Sequence, residues 1–178
     1  MLAAIALTEL GMSTVAAVAR AEPVPEVAAG VLPADIRLDG ELTEPAWATV
    51  RGIENLTMIE PTEAAAPTGR TRVKVLASRT AVVIGVICED PQPDRIVSYT
   101  KQRDGELSAE DHIRVVLDPF LDGRSGYVFQ VNPSGARYDA LIEPDGWPNS
   151  NWDGVWDAAT HRDAQGWSVE IRIPIQTL

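Results

Sequence analysis

The stretch of residues 145–156 carries the side chains best suited to ligand chemistry, because three of the chain's five tryptophans, Trp147, Trp152 and Trp156, lie in it. Gly, Pro, Asn and Asp surround them, and these are the residues that form turns, so the sequence predicts a loop that carries large aromatic rings. Such a ring either closes the end of a hydrophobic core or is offered to a ligand, where its flat apolar face suits stacking against a sugar. Composition alone leaves both interpretations open.

Polar side chains alternate with apolar ones in four predicted strands, at 111–118, 126–132, 136–142 and 167–173. If these strands share one sheet, the face that points away from the core carries the polar residues Arg114, Gln130, Asn132, Arg137, Asp139, Glu170 and Arg172. Planar donors beside carboxylates and amides can bind sugar hydroxyls while an aromatic ring covers the sugar's apolar face. The alternative is a solvated face with cross-strand ion pairs.

From this pattern we predict one ligand-binding site, formed by the polar sheet face and the tryptophan loop. Its predicted members are Trp152, Asn132, Arg114, Gln130, Arg137, Trp156 and Glu170. Trp152 is the ring most expected to contact a ligand, since Trp156 lies on a short strand and is expected to pack inward, and Trp147 can fold beside Pro148.

Oxygen-bearing side chains in two turns are weak candidates for a Ca²⁺ site. They are Asp118, Asp122, Asn149, Asn151 and Asp153. Residues 149–154 resemble the first half of an EF-hand loop, but the twelfth position holds Thr160, where a bidentate Glu is required. No catalytic residue is predicted, because no carboxylate pair, nucleophile elbow or phosphate-binding glycine loop is recognisable.

Composition limits the fold and the partners. With 178 residues the chain is long enough for one domain. A net charge of -11 argues against a nucleic-acid partner, since phosphates bind clustered Lys and Arg. The single cysteine, Cys88, lies in an apolar run and excludes a disulfide framework.

The chain divides into three predicted segments. Residues 1–21 resemble an imperfect secretory leader, 22–34 are a linker rich in proline, and 35–178 form the folded domain. About nine short strands without an amphipathic helix predict an all-β protein, an antiparallel β-sandwich of the jelly-roll or immunoglobulin-like kind. The stop at Leu178, directly after a strand, suggests a domain truncated at its C-terminus.

Local patterns predict several details of the sandwich. Residues 71–78 and 81–88 form a hairpin, residues 44–47 form a helical turn, and Trp47 plugs the core. In the strand at 136–142, Tyr138 and Ala140 are expected to face the core, so that Arg137 and Asp139 lie on the polar face.

Several ordered motifs resemble the family 9 carbohydrate-binding modules, especially their divergent relatives at the N-terminus of large exported bacterial proteins. They are Asp39 to Trp47, Gly126 to Leu141, and Trp152 to Pro174. The resemblance implies a jelly-roll sandwich, export to the periplasm or outer membrane, often structural Ca²⁺, and two aromatic rings around a terminal sugar. It also implies that Asn132 donates to the sugar and that Trp152 or Trp156 supplies one ring.

The expected function is therefore non-catalytic binding of a poly- or oligosaccharide. The second hypothesis is a structural periplasmic domain that packs against a C-terminal β-barrel of the same polypeptide. The third is an accessory part of a glycoside hydrolase, since the modules that this chain resembles are often attached to such enzymes.

Overall fold

The computed structural model describes residues 26–54 and 56–178, so the predicted leader lies outside the described part of the chain. Two facing sheets form a β-sandwich, which confirms the predicted fold class. The first sheet contains, in spatial order, β1 (Gly30–Val31), β2 (Thr71–Ala77), β3 (Ala81–Glu89), β9 (Gly166–Pro174) and β8 (Asp157–Asp163). The second contains β4 (Ile113–Leu117), β5 (Gly126–Val131), β6 (Arg137–Ile142) and β7 (Pro148–Asn149).

Neighbouring strands are antiparallel throughout, apart from β1, which runs parallel to β2. The predicted hairpin is confirmed, because Thr71 pairs with Cys88 and Ala77 with Val82. β1 lies within the predicted linker and extends the five-stranded sheet by one short strand. The helical elements are α1 (Pro45–Ala48) and two 3-10 turns, Pro93–Arg95 and Ile175–Thr177. No helix of the described residues is long and apolar enough to cross a membrane.

The core between the sheets consists of the apolar residues at every second strand position. Phe129 and Val131 of β5 face Val169 and Ile171 of β9, and all four are fully buried. Alternation places them there because successive side chains of a strand point to opposite faces. Burying one large apolar side chain contributes about 1.5–3 kcal/mol, so these residues decide which face of each strand points inward.

A second apolar layer covers the outer face of the five-stranded sheet. The N-terminal segment, residues 32–50, lies across that face, and Trp47, which is 1% exposed, packs with Leu76 and Val83. Trp47 is thus buried as predicted, but against the outside of a sheet. Gly85 of β3 leaves room for its ring, since a Cβ there would lie 2.9 Å from the indole.

Glu170 anchors this N-terminal segment. Its buried carboxylate accepts hydrogen bonds from the backbone N–H groups of Asp39 and Gly40, both at 3.0 Å, and from Nε1 of Trp47 at 3.1 Å. Burial raises the pKa of Glu170, and the three hydrogen bonds offset part of that rise. The side chain therefore joins β9 to two points of the N-terminal segment, which is distant from β9 in sequence.

Two expectations about the polar face are wrong. β9 belongs to the five-stranded sheet, so Glu170 and Arg172 cannot share a face with β4, β5 and β6. The facing of β6 is reversed as well, because Tyr138 pairs with Gln130, whereas Asp139 pairs with the core residue Phe129. A buried carboxylate is tolerated in the core because it is hydrogen-bonded and ion-paired there.

Replacing Glu170 with Ala should loosen the N-terminal segment. Three buried or half-buried donors would lose their acceptor, and we expect the free energy of unfolding to fall by about 3 kcal/mol, measured by urea denaturation. Glu41→Ala is the matched control, since its pair with His161 is half-exposed and its loss should cost less than about 1 kcal/mol. Equal losses in the two variants would contradict the anchoring role.

Candidate functional site

The outer face of the four-stranded sheet carries a row of three polar side chains. Arg114 of β4 lies opposite Gln130 of β5, which lies opposite Tyr138 of β6. Adjacent strands are about 4.8 Å apart, so a guanidinium, an amide and a phenol span roughly 10 Å across the sheet. Arg114 is exposed and forms no ion pair with any described residue.

An apolar row lies beside the polar one. Val116, Val128 and Ala140 occupy the next outward-facing positions on the same three strands. Val128 and Ala140 are fully buried, while Val116 is half exposed. The sheet face thus combines hydrogen-bonding groups along one line with an apolar row along the next, of which Val116 is exposed.

A loop closes one side of this face and turns it into a groove of about 260 Å³. Leu107, at 2% exposed, fixes the loop, and the carboxylates of Asp104 and Glu106 line the groove beside it. Pro148 of β7 lines it as well. We call this feature the sheet groove; its lining residues are Asp104, Gly105, Glu106, Leu107, Arg114, Val128, Gln130, Tyr138 and Pro148.

Trp147 directly precedes Pro148 and is 76% exposed. A hydrogen bond from its backbone N–H to the Asp145 carboxylate, at 3.1 Å, and one from the Glu143 backbone N–H to the Trp147 carbonyl, at 3.2 Å, hold the turn. The side chain therefore stands on an ordered turn, one residue before Pro148 of the groove lining. Of the three tryptophans in residues 145–156 it is the most accessible to a ligand.

Asn132 and Glu110 form a hydrogen-bonded pair that holds the wall of the groove. Nδ2 of Asn132 donates to Glu110 at 3.0 Å and to the Thr100 carbonyl at 2.8 Å, while its Oδ1 accepts from the backbone N–H groups of Ser134 and Ala136. Glu110 in turn accepts from the backbone N–H groups of Tyr99 and Thr100. Asn132, which the sequence predicted to bind sugar, is fully buried. It positions the loop from inside the protein.

Arg103 and Asp139 attach the tryptophan loop to the sheet. Asp139 is fully buried, accepts from Nη2 of Arg103 at 2.7 Å, and accepts from the backbone N–H of Gly154 at 2.6 Å. The same Arg103 nitrogen pairs with Asp153 and donates to the Gly154 carbonyl at 3.2 Å. Gly154 is needed because a Cβ there would lie 2.5 Å from the Trp152 ring.

Trp152 and Trp156 belong to the core of the sandwich. The Trp152 ring is half-buried and packs on Tyr127 and Phe129, with ring centroids 5.2 and 6.0 Å apart. Trp156 is 3% exposed and packs edge-on against Phe129 at 5.2 Å. Each ring thus closes one part of the core.

Arg137 lies apart from Arg114 and Gln130, over the edge of the core. Its guanidinium carbon is 5.5 Å from the centroid of the Trp156 ring, and Nη1 donates to the Trp156 carbonyl at 2.5 Å and to Asp157 at 3.2 Å. Of the seven predicted site residues, the structure therefore brings together two, Arg114 and Gln130, in the sheet groove.

The Ca²⁺ candidates bind parts of their own turns. The Asp118 and Asp122 carboxylates accept backbone N–H groups within residues 122–125, and these bonds lower the pKa of Asp122. Asn149 accepts from the backbone of Asn151, and Asp153 pairs with Arg103. Within residues 26–54 and 56–178, no three His, Cys, Asp or Glu side chains are grouped so that they could hold a metal ion.

Sequence reasoning did not identify Tyr138, Trp147 or the loop at residues 104–107 as parts of a site. For Tyr138 a signal existed: it stands opposite Gln130 when the hairpin is closed by the turn at 132–135, which fixes the register. No sequence signal indicated the loop at residues 104–107, because its position over the sheet depends on the buried contacts of Glu110 and Leu107.

The fold and the open sheet face define a β-sandwich domain with one polar, accessible face. No family model matches the sequence, and no curated protein sequence matches it significantly. Solved structures that share the fold include two related to carbohydrate binding. One is a family 9 carbohydrate-binding module from Caldicellulosiruptor kristjanssonii in complex with glucose, with a TM-score of 0.55 and 15% identity over 83% of this chain and 67% of that one.

The other is a candidate carbohydrate-binding protein from Bacteroides uniformis, with a TM-score of 0.55 and 8% identity over 71% of this chain. The match spans 60% of that protein's length. At these identities the likeness concerns the fold. The chain is thus a β-sandwich with the same architecture as a family 9 carbohydrate-binding module.

Replacing Arg103 with Ala should release the tryptophan loop. Breaking a buried ion pair costs about 3–5 kcal/mol, and because Arg103 is one-third exposed we expect a loss near the lower end, about 3 kcal/mol, in urea denaturation. The near-ultraviolet circular dichroism of Trp152 should weaken in parallel. Arg37→Ala is the control, since its pair with Asp39 is exposed and should contribute less than about 1 kcal/mol; a matching loss there would contradict the assignment.

Acid should destabilise the groove wall through Glu110. Burial acts to raise its pKa, but hydrogen bonds from Thr100, Asn132 and Tyr99 together hold that pKa below the usual value. Its stabilising contribution is therefore present above the unfolded pKa of about 4.3 and is lost as the pH falls through the lower folded pKa. In urea titrations between pH 6 and 2, Glu110→Gln should show a shallower fall of stability than wild type; an unchanged slope would disprove this role.

Proposed function

We propose that the chain is a non-catalytic carbohydrate-binding module that holds a sugar unit in the sheet groove. The observation that carries the proposal is the row of Arg114, Gln130 and Tyr138 across three strands, beside an apolar row. A sugar ring has hydroxyl groups around its edge and C–H groups on its faces. The polar row can bind the edge while an exposed aromatic ring covers a face.

Trp147 is the ring that we assign to this task in place of Trp152. It is exposed on the turn directly before Pro148 of the groove, whereas Trp152 is engaged in packing against Tyr127 and Phe129. The carboxylates of Asp104 and Glu106 supply acceptors for hydroxyl groups, and Arg114 and Gln130 supply donors. The similarity in fold to a module crystallised with glucose supports the proposal.

The carboxylates of the groove favour binding over hydrolysis. Glycoside hydrolysis requires two carboxyl groups on opposite sides of the scissile bond, about 5–10 Å apart. Asp104 and Glu106 are two positions apart on one loop and line the same side. The function as an accessory part of a hydrolase, attached to a separate catalytic domain, is compatible with the same site.

The structural-domain hypothesis has one observation in its favour. Five of the seven residues predicted to bind a ligand have contacts that stabilise the fold: Trp152, Trp156, Asn132, Arg137 and Glu170. In that case the domain would pack against the rest of a larger polypeptide, with no sugar in the groove. Export to the periplasm or outer membrane, and a β-barrel partner, stay predictions from sequence.

Titration with a panel of mono- and oligosaccharides, followed by calorimetry and tryptophan fluorescence, tests the proposal. Arg114→Ala and Trp147→Ala should each weaken binding about tenfold, which corresponds to one charge-assisted hydrogen bond or one stacking contact. Arg124→Ala, an exposed arginine on a turn outside the groove, and Trp152→Phe should leave the affinity unchanged.

Either outcome of the titration decides between the binding module and the structural domain. Saturable binding that is lost in the groove variants supports the module. No heat and no fluorescence change with any sugar up to millimolar concentration, in a folded wild-type protein, would leave the structural domain as the function. Loss of binding in Trp152→Phe alone would move the site to the other end of the tryptophan loop.

A further inference from the structure

A second cleft opens at one end of the sandwich, between the sheets. It lies where β3 ends and β4 and β9 begin, and its volume is about 600 Å³, more than twice that of the sheet groove. Its floor is apolar and consists of Cys88, Ile113 and Trp167. Trp167 is 6% exposed, and its ring belongs to the core of the sandwich. We call this feature the end cleft.

Carboxylates form the rim of the end cleft, without a compensating cation. Asp90 and Asp111 line it, and so does Glu89, whose charge is neutralised by Arg72 at 2.6 Å. None of the described residues that line the cleft is Lys or Arg. Its local charge is therefore close to two negative units, in a protein whose net charge is -11.

The two free carboxylates each retain an oxygen for a ligand. Asp90 Oδ1 accepts the backbone N–H of Gln92 at 2.7 Å, and Asp111 Oδ2 accepts that of Val97 at 2.7 Å. The remaining oxygen of each carboxylate makes no hydrogen bond with a described residue. The negative charge of Asp111 acts on Cys88 in the floor of the cleft. Burial raises the pKa of the Cys88 thiol to about 11, and the charge of Asp111 contributes to that rise.

His112 adds a third acceptor to the rim. Its Nδ1 lies 2.9 Å from the carbonyl oxygen of Glu110. A carbonyl oxygen can only accept, so Nδ1 carries the hydrogen, and in the neutral imidazole Nε2 is then a bare acceptor. Asp90, Asp111 and His112 thus offer lone pairs at the rim, and a fitting ligand brings donors and positive charge.

A metal ion does not satisfy these acceptors. Within the part of the chain that the structure describes, no three His, Cys, Asp or Glu side chains are close enough together for one ion. The ligand must therefore extend between the carboxylates and also cover the apolar floor. An ammonium group has three donors and no acceptor, and an attached alkyl chain supplies apolar surface.

From this combination we infer that the end cleft is a second binding site, separate from the sheet groove, for a small organic diamine: an apolar chain that lies on Trp167 and places an ammonium group at Asp90 and another at Asp111, with His112 as a further acceptor. Charge complementarity selects the ligand class, since a cleft lined by one sign of charge concentrates ligands of the opposite sign. A neutral sugar would leave both carboxylates uncompensated, although its hydroxyl groups could donate to them.

Calorimetric titration with 1,5-diaminopentane at low ionic strength tests the inference, with glucose as the neutral comparison. We expect saturable binding of the amine that weakens as salt is added. Asp90→Asn and Asp111→Asn should each weaken it about three- to tenfold, because each removes one exposed charge and keeps the acceptor for the backbone N–H. Asp35→Asn, an exposed carboxylate that lines neither site, is the matched control and should change nothing.

Circular dichroism and thermal unfolding would confirm that the Asn variants are folded. The inference is overturned if the amine does not bind to the folded wild type, if the control variant weakens binding as much as the rim variants, or if glucose binds at the cleft as tightly as the amine. Arg114→Ala should leave amine binding intact, so a failure of the sheet groove and a failure of the end cleft are distinguishable.

Discussion

Three buried carboxylates, Glu110, Asp139 and Glu170, must each be matched by N–H donors, and this requirement decides which segments lie against which sheet. An unpaired carboxylate in an apolar interior is strongly unfavourable. Each of these three meets the requirement with backbone N–H groups from another segment of the chain. Glu170 holds the N-terminal segment, Glu110 holds residues 99–100, and Asp139 holds the tryptophan loop.

The same interactions separate packing residues from ligand-binding residues. Asn132, Glu170 and Arg137 have the chemistry of sugar-binding side chains, but their donors and acceptors bind the protein itself. Arg114 and Gln130 stand on the open sheet face, where water or a ligand can reach them. Residue type therefore indicates a capacity for hydrogen bonding, while the partners already present decide whether that capacity remains for a ligand.

Negative charge is distributed unevenly over the two clefts. The sheet groove is lined by Arg114 as well as by Asp104 and Glu106, so both donors and acceptors belong to its lining. In the end cleft Asp90 and Asp111 have no Lys or Arg beside them among the lining residues. One sandwich can thus present a site suited to a neutral hydroxylated ligand on a sheet face and a site suited to a cation at its end, because the first is built across strands and the second from strand termini.

The alternation of apolar and polar residues predicts the strands and most of their inward faces. Alternation in β4, β5 and β9 places Val115, Phe129 and Ile171 in the core, because burying apolar surface outweighs the other terms on those strands. The hairpin of β2 and β3 and the burial of Trp47 follow from equally local signals. The fold class therefore follows from the sequence alone.

Two features depend on tertiary contacts: which sheet each strand joins, and which side chains of β6 point into the core. Alternation cannot say which sheet a strand joins, and β9 pairs with β3 and β8 through contacts remote in sequence. In β6, alternation favoured Tyr138 inside, but the ion pair of Asp139 with Arg103 and its bond from Gly154 reverse that choice. Arg103 and Gly154 lie in loops that have no alternating hydrophobic pattern. The position of the site therefore depends on interactions that no local sequence pattern predicts.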